Sequence, residues 1–109
     1  MSDTHPIDRL FEVIRSRANA DPAESYTAKL FAQGRLKIAK KVGEEGVETA
    51  LAAVAQDKDC IANESADLLY HLLVLWAACD VAPEHVYRAL EARAGRSGLD
   101  EKSSRNRVP

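Results

Sequence analysis

The sequence predicts an all-α protein whose centre is a hairpin of two long antiparallel helices. Apolar residues recur at spacings of three and four along successive segments, as in amphipathic helices, and no segment shows the period-two alternation of a strand. The chain has 109 residues, of which 46% are hydrophobic and 29% are charged. These values are those of one ordinary globular domain rather than of a disordered chain.

Two short helices are predicted before the hairpin. Pro6 fits the first turn of the first helix, whose apolar residues are Ile7, Leu10, Phe11 and Ile14. Ser25 is suited to cap the second helix, because its hydroxyl can accept from a free N–H group of the first turn. Gly34 is suited to end it.

The hairpin itself comprises a helix from about Leu36 to Gln56 and a helix from about Cys60 to Cys79. The polar residues 57–59 separate the two helices, and the aspartates Asp57 and Asp59 are suited to a helix start. So short a connection favours antiparallel packing. Pro83 opens a last helix, which Gly95 ends.

One pair of long helices forms an incomplete core. A hairpin of this kind usually completes a four-helix bundle by packing on a second copy. In a lone chain, the very apolar second helix would leave Trp76 and several leucines exposed. We therefore expect a homodimer, with a helical domain over residues 1–95 of each chain and a polar tail over residues 96–109.

Charge and hydropathy argue against several classes of protein. Fifteen Lys and Arg residues against 17 Asp and Glu residues give a net charge of −2, which is unlike the basic surface of a non-specific nucleic-acid binder. The first eight residues lack the pattern of a signal peptide, and the longest apolar stretch, Leu72–Cys79, is far shorter than the roughly 20 residues that span a bilayer. We expect a cytoplasmic protein that binds neither nucleic acid nor a membrane.

The first long helix carries three acidic and three basic residues on one face. They are Glu44, Glu45, Glu48, Lys37, Lys40 and Lys41. One interpretation is a solvated stripe of ion pairs, but the lysines precede the glutamates, which is the weaker orientation for such pairs. Gly43 and Gly46 on the same helix cost about 1 kcal/mol each, and such glycines usually mark a close approach to the backbone.

The second long helix places Glu64 and Asp67 one turn apart, with His71 one turn beyond. Most of its other residues are apolar, so we expect this helix to be buried and its carboxylates to face the interior or a cleft. A buried carboxylate needs a cation, a lysine partner or a proton, and a salt bridge to Lys40 or Lys41 is one alternative. We expect His71 to be a hydrogen-bonded supporting or core residue rather than a ligand, because oxygen sites favour oxygen ligands.

Antiparallel packing would bring Glu45-x-x-Glu48 and Glu64-x-x-Asp67 together across one groove. Carboxylates at this density repel one another unless a multivalent cation lies among them, and all-oxygen ligation favours Mg²⁺ or Mn²⁺. Di-iron bundles also gather carboxylates between helices, but they need Glu-x-x-His pairs, which this sequence lacks.

Two stretches resemble the all-α nucleoside triphosphate pyrophosphohydrolases, whose metal-binding pattern is ExxE followed by ExxD. They are KIAKKVGEEGVETALAA (Lys37–Ala53) and NESADLLYHLLVLW (Asn63–Trp76). Within that group, SYTAKLF (Ser25–Phe31), the KKVGEE run and RSGLDEKSSR (Arg96–Arg105) resemble the phosphoribosyl-ATP pyrophosphohydrolases of histidine biosynthesis. Gly46 stands where alanine is more usual in this family.

The resemblance implies Mg²⁺-dependent hydrolysis of the α,β-phosphoanhydride of phosphoribosyl-ATP to phosphoribosyl-AMP and pyrophosphate. It implies that Glu45, Glu48, Glu64 and Asp67 bind the metal ion. Glu44 then either completes the ligand set or acts as the general base on the attacking water.

The candidates for substrate binding lie on three segments: Lys37, Lys40 and Lys41; Ser25, Tyr26 and Thr27; and Arg96, Ser97, Lys102 and Arg105. We expect the lysines to bind the triphosphate and the basic tail residues to bind phosphates once the tail folds over the ligand. A simple helix cap at residues 25–27 and a solvated tail are the alternatives.

Two other functions remain open from the sequence. A house-cleaning pyrophosphatase of noncanonical or deoxynucleoside triphosphates would use the same metal site with a different base pocket. A non-catalytic helical dimerisation module would use the acids and lysines only to set the register. Substrate profiling distinguishes the first alternative, and metal dependence of stability distinguishes the second.

Overall fold

A computed structural model describes residues 5–55 and 57–94, which form five α-helices. The helices are α1 (Pro6–Ser16), α2 (Tyr26–Gln33), α3 (Arg35–Ala55), α4 (Lys58–Ala78) and α5 (Pro83–Ala94). These two ranges contain no β-strand, so the predicted all-α class is confirmed. The predictions that lie outside the described residues concern Gln56, Gly95 and the tail with Arg96, Ser97, Lys102 and Arg105.

The helix ends follow the signals that the sequence predicts. The Ser25 hydroxyl accepts from the N–H group three residues on at 3.1 Å and caps α2. Gly34 alone joins α2 to α3, and its φ of 96° with ψ of 167° is a conformation open almost only to glycine. The Asp57 carboxylate accepts from the N–H group of Cys60 at 3.0 Å, so α4 begins at Lys58, two residues earlier than predicted.

The long helices α3 and α4 pack against each other as the predicted antiparallel hairpin. Hydrogen bonds at two levels show the direction. At the open end, the Arg35 guanidinium donates to the Ala78 carbonyl at 3.1 Å, and nearer the turn the Thr49 hydroxyl lies 3.1 Å from the Glu64 carbonyl. Helix α1 packs on α4 and α5, and α2 packs on both helices of the hairpin.

The buried core occupies the open end of the hairpin. Its buried apolar side chains come from four helices and are Phe11, Ile14, Leu30, Ile38, Leu73 and Val74. Trp76 is half-buried and packs against this cluster, so the expectation that a lone chain leaves it exposed is wrong. The Tyr87 hydroxyl donates to the Asp8 carboxylate at 2.8 Å and ties α5 to α1.

The half of α3 near the turn is not covered in the same way. Ala52 is buried there, but Val47, Leu51 and Val54 are 60%, 62% and 87% exposed. The exposed apolar side chains of the hairpin therefore lie mainly on α3, whereas Leu69 is the one exposed leucine of α4, where several were expected.

Helix α4 is not buried on all sides, contrary to the expectation from its composition. Its buried residues are His71, Leu73 and Val74, whereas Leu69 and Asp67 are exposed. The physical reason is that one hairpin offers α4 neighbours on only part of its circumference, namely α1, α2 and α3.

Gly43 and Gly46 do not mark a close approach within the described residues. A Cβ atom at either position would meet nothing within 4 Å. Gly43 shares a helix face with Val47 and Val54, because the spacings of four and eleven residues correspond to whole helical turns. This face of α3 is therefore small and apolar, and no other described part of the chain packs on it.

No helix in the described ranges is by itself long and apolar enough to cross a membrane. Helices α4 and α5 meet that test only as a pair, and the chain bends by 114° between them.

The core position of Leu73 leads to a stability prediction. Leu73 is 1% exposed, so Leu73→Ala should lower the free energy of unfolding by about 2–5 kcal/mol through lost burial and a residual cavity. The same change at Leu90, which is 55% exposed on α5, should cost about 0.5 kcal/mol or less. Urea unfolding of both variants at one protein concentration measures the difference, and equal losses would contradict the described core.

Candidate metal centre

Three carboxylates from two helices meet in the half of the hairpin nearer its turn. One oxygen from each of Glu45, Glu48 and Glu64 lies within 4.8 Å of the other two. Glu45 and Glu48 are neighbours on one face of α3 because they are three residues apart, and Glu64 comes from α4. Helix packing therefore assembles the group from residues that are distant in sequence.

Asp67 lies beside this group rather than within it. Its side chain is exposed, but its charge helps to raise the pKa of Glu45. The structure thus brings three of the four predicted metal ligands together and places the fourth nearby. Within residues 5–55 and 57–94, no ion pair joins Lys40 or Lys41 to the α4 carboxylates, so the salt-bridge alternative is wrong.

Glu45 shows that the group is electrostatically unfavourable without a cation. A hydrogen bond shared with Glu48, then burial, then the charges of Glu48, Asp67 and Glu64 raise the pKa of Glu45 to about 7. Its Oε2 atom is buried, and no donor of the described chain satisfies it, because the nearest groups are themselves carboxylates. All-oxygen donors, an orphaned buried oxygen and mutual repulsion fit a hard divalent cation.

Thr49 links the backbones of α3 and α4 beside the carboxylate group. Its hydroxyl donates to the Glu45 carbonyl at 2.8 Å and lies 3.1 Å from the Glu64 carbonyl. The sequence reasoning did not identify Thr49. The available signal was a threonine four residues after Glu45, a position from which its hydroxyl reaches the carbonyl of the preceding turn.

His71 is hydrogen-bonded on both ring nitrogens, as expected of a supporting histidine. Nδ1 lies 2.8 Å from the Asp67 carbonyl, which can only accept, so Nδ1 carries the proton. In the neutral ring, Nε2 then accepts from the Tyr26 hydroxyl at 3.0 Å. Nδ1 also lies 3.9 Å from Glu45 Oε1, so His71 connects Tyr26 to the carboxylate group.

Residues 25–27 combine a structural and a positional role. Ser25 caps α2, which agrees with the alternative that these residues form a helix cap. Thr27 is buried, and its hydroxyl lies 2.5 Å from the Tyr70 hydroxyl. Tyr26 reaches His71. Tyr70, next to His71 in α4, was not among the predicted site residues, because its partner Thr27 lies 43 residues away in sequence.

The predicted triphosphate-binding lysines lie together on the surface of α3. Lys37, Lys40, Lys41 and Glu44 line a depression of about 90 Å³. Lys41 Nζ lies 3.9 Å from Glu44 Oε1 with both side chains exposed, so this pair contributes little stability. Glu44 is therefore placed with the lysines and not in the group of Glu45.

The chain matches known proteins over nearly its whole length. A model of the phosphoribosyl-ATP pyrophosphohydrolase family matches residues 7–94. A phosphoribosyl-ATP pyrophosphatase of Paramagnetospirillum magneticum is 57% identical over 94% of this chain and 94% of that protein. Proteins with the same name from Parvibaculum lavamentivorans and Azospirillum brasilense are 56% and 54% identical, over 95% and 91% of this chain and 95% and 89% of theirs. The chain belongs to the phosphoribosyl-ATP pyrophosphohydrolase family.

Proposed function

We propose that this protein hydrolyses the α,β-phosphoanhydride of phosphoribosyl-ATP, giving phosphoribosyl-AMP and pyrophosphate, as an early step of histidine biosynthesis. The convergence of Glu45, Glu48 and Glu64 supports metal-dependent phosphoanhydride chemistry. The names of relatives that are more than 50% identical over nearly the whole chain support this substrate. A substrate of this kind also favours a cytoplasmic location, where nucleotide intermediates are made and used.

We assign Glu45, Glu48, Glu64 and Asp67 as the residues that hold Mg²⁺, for which Mn²⁺ is expected to substitute. When bound, the cation supplies charge neutralisation for the phosphate oxygens at the scissile bond. Hydrolysis of a phosphoanhydride needs positioning and charge neutralisation more than covalent catalysis, so no nucleophilic side chain is required.

The lysine depression suits the leaving pyrophosphate. Lys37, Lys40 and Lys41 lie about one to three turns before Glu45 and Glu48 on the same helix, and their ammonium groups can bind the β- and γ-phosphate oxygens. Glu44 lies among them and outside the closest carboxylate group, so we assign it to accept the proton of the attacking water. The tail residues Arg96, Lys102 and Arg105, with Ser97, remain predicted contacts of further phosphate groups.

A second copy of the chain is the proposed neighbour of the exposed face of α3. Helix α3 carries an apolar stripe that the described residues do not cover, formed by Leu36, Val47, Leu51 and Val54. Packing two hairpins together would bury the stripe and complete a four-helix bundle, and the open space above Gly43 allows a close approach. We therefore propose a homodimer.

The proposed activity predicts a specific substrate profile. With Mg²⁺, the protein should convert phosphoribosyl-ATP to equimolar phosphoribosyl-AMP and pyrophosphate far faster than it hydrolyses ATP, dCTP or dUTP. Glu48→Gln and Asp67→Asn should lower kcat/KM about 100-fold or more, because each removes a charged ligand. The same variants should bind Mn²⁺ more weakly in titration calorimetry.

Glu91→Gln on the exposed surface of α5 is the matched control for these variants and should behave as the parent does. Preference for a deoxynucleoside triphosphate would favour the house-cleaning alternative. Metal binding that both variants retain in full would place the metal site elsewhere.

The raised pKa of Glu45 predicts how the stability of the metal-free protein depends on pH. Between the ordinary value of 4.5 and about 7, the native state holds a proton that the unfolded state has lost. The metal-free protein should therefore lose stability as pH rises through this range. Glu45→Gln should remove this dependence of stability on pH. At pH values above about 7 it should raise the Tm by several degrees, since 1 kcal/mol corresponds to roughly 4–8 °C in a domain of this size.

Thermal unfolding in a chelator between about pH 5 and pH 8 measures how the Tm of the parent and of the variant changes with pH. Mg²⁺ should raise the Tm of the parent at the alkaline end, because binding the native state stabilises it, and should raise that of the variant less. Parallel curves for the two proteins would show that Glu45 does not experience the described repulsion.

The proposed dimer predicts the effect of a charge on the α3 stripe. Parent protein at micromolar concentration should sediment at about twice its chain mass of 11.9 kDa, and Leu51→Glu should shift it towards the monomer. Ala92→Glu, which adds the same charge to the exposed surface of α5, should leave the dimer intact. A clean 11.9 kDa monomer for the parent would disprove the dimer.

A further inference from the structure

A second site lies beside the carboxylate group. A cavity of about 530 Å³ opens between α1, the connection from α1 to α2, the first turn of α2 and Tyr70 of α4. Its volume is in the range of small-molecule binding sites. Glu45, Glu48 and Glu64 do not line it, so it is distinct from the candidate metal centre.

Two tyrosines form an aromatic wall of this cavity above an apolar floor from α1. The rings of Tyr26 and Tyr70 stack with their centroids 6.2 Å apart and their planes at 22°. Hydrogen bonds hold both rings in place, from Tyr26 to His71 and between Tyr70 and Thr27. The wall is therefore preorganised to pack against a flat ring system.

The rim of the cavity is acidic. Asp21 and Glu24 lie on it together with one basic residue, Arg17, which leaves a net charge of −1. The Asp21 Oδ1 atom accepts from the Ala23 N–H group at 2.9 Å, so the turn itself holds this carboxylate. An acidic rim is unfavourable for a triphosphate and favourable for a cationic group.

The cavity and the carboxylate group are joined by one side chain. The Tyr26 hydroxyl contacts His71 Nε2 at 3.0 Å, and His71 Nδ1 lies 3.9 Å from Glu45 Oε1. The cavity and the carboxylate group thus lie on two sides of one buried histidine.

We propose that this cavity binds the adenine ring of phosphoribosyl-ATP and distinguishes it from the adenine of ATP by charge. The proposal rests on the function proposed above. A ribosyl group on N1 makes adenine a cation at neutral pH, because the ring keeps a positive charge until its exocyclic nitrogen loses a proton, whereas the adenine of ATP is neutral. The tyrosine faces attract a cationic ring, and the Asp21 and Glu24 carboxylates complement its charge.

The first test uses nucleosides, which carry no phosphate and do not depend on the metal centre. 1-Methyladenosine has the same cationic ring, and adenosine is its neutral counterpart. In titrations followed by NMR, 1-methyladenosine should bind the parent protein about tenfold more tightly than adenosine, with the largest shifts at Tyr26 and Tyr70. Equal affinities, or shifts elsewhere on the protein, would overturn the proposal.

The second test uses the Asp21→Asn/Glu24→Gln double variant, in which Asn keeps the oxygen that caps the turn. The ratio of kcat/KM for phosphoribosyl-ATP to that for ATP should fall about tenfold, because the variant removes both negative charges that complement the cationic ring. The same ratio should fall in the parent as salt is raised. Glu91→Gln controls for the loss of a negative charge elsewhere.

The two tests separate this proposal from the proposed function. If the parent does not turn over phosphoribosyl-ATP, the function fails, while the preference for 1-methyladenosine still reports on the cavity. If the parent turns it over and the double variant keeps the parent's ratio, the cavity does not select the base by charge.

Discussion

The register in which α3 packs on α4 determines every feature of the candidate metal centre. Glu45 and Glu48 can meet Glu64 only if the helices lie antiparallel with Thr49 opposite Glu64, and the Thr49 hydroxyl holds that alignment by lying between two backbone carbonyls. A slip of one helical turn, about 5.4 Å, would carry Glu64 out of reach. The hairpin core at the open end fixes this register from a distance, because Ile38 and Leu73 are packed there without exposure to solvent.

The buried apolar core and the carboxylate group occupy different halves of the hairpin. The apolar cluster of α1 to α4 stabilises the open end, whereas the half nearer the turn concentrates carboxylates that repel one another and raise the pKa of Glu45. A group of this kind opposes folding in the absence of a cation, since like charges held close together repel one another. Placing the core away from the group lets the fold tolerate this repulsion. The exposed face of α3 near the turn leaves room for a second chain to add the stability that this half lacks.

The sequence predicts the helices and their ends well, but it predicts the spatial arrangement of the side chains at the site only in part. Helix caps at Ser25 and Asp57 and the glycine at position 34 are local signals, and all three are where the structure uses them. The pattern of four acids identifies the group, but not that Asp67 stays exposed beside it or that Glu44 lies among the lysines, because side-chain placement depends on what covers each face. Trp76 is misassigned for the same reason: α1 covers the open end of α4, which composition alone does not reveal. Thr49 and Tyr70 are absent from the prediction because their partners are 15 and 43 residues away.

His71 shows why the two candidate sites are best considered together. The histidine is buried, its Nδ1 is fixed by the Asp67 carbonyl, and its other nitrogen accepts from Tyr26. Because this ring contacts Tyr26 at one nitrogen and lies 3.9 Å from Glu45 at the other, a base that packs against Tyr26 in the proposed cavity would act on the orientation of His71 beside Glu45. Binding energy from a part of the substrate that does not react can in this way be used to orient the reacting part. The Tyr26–His71–Glu45 contacts thus give the aromatic cavity a physical route to the carboxylates, one that an isolated base pocket would lack.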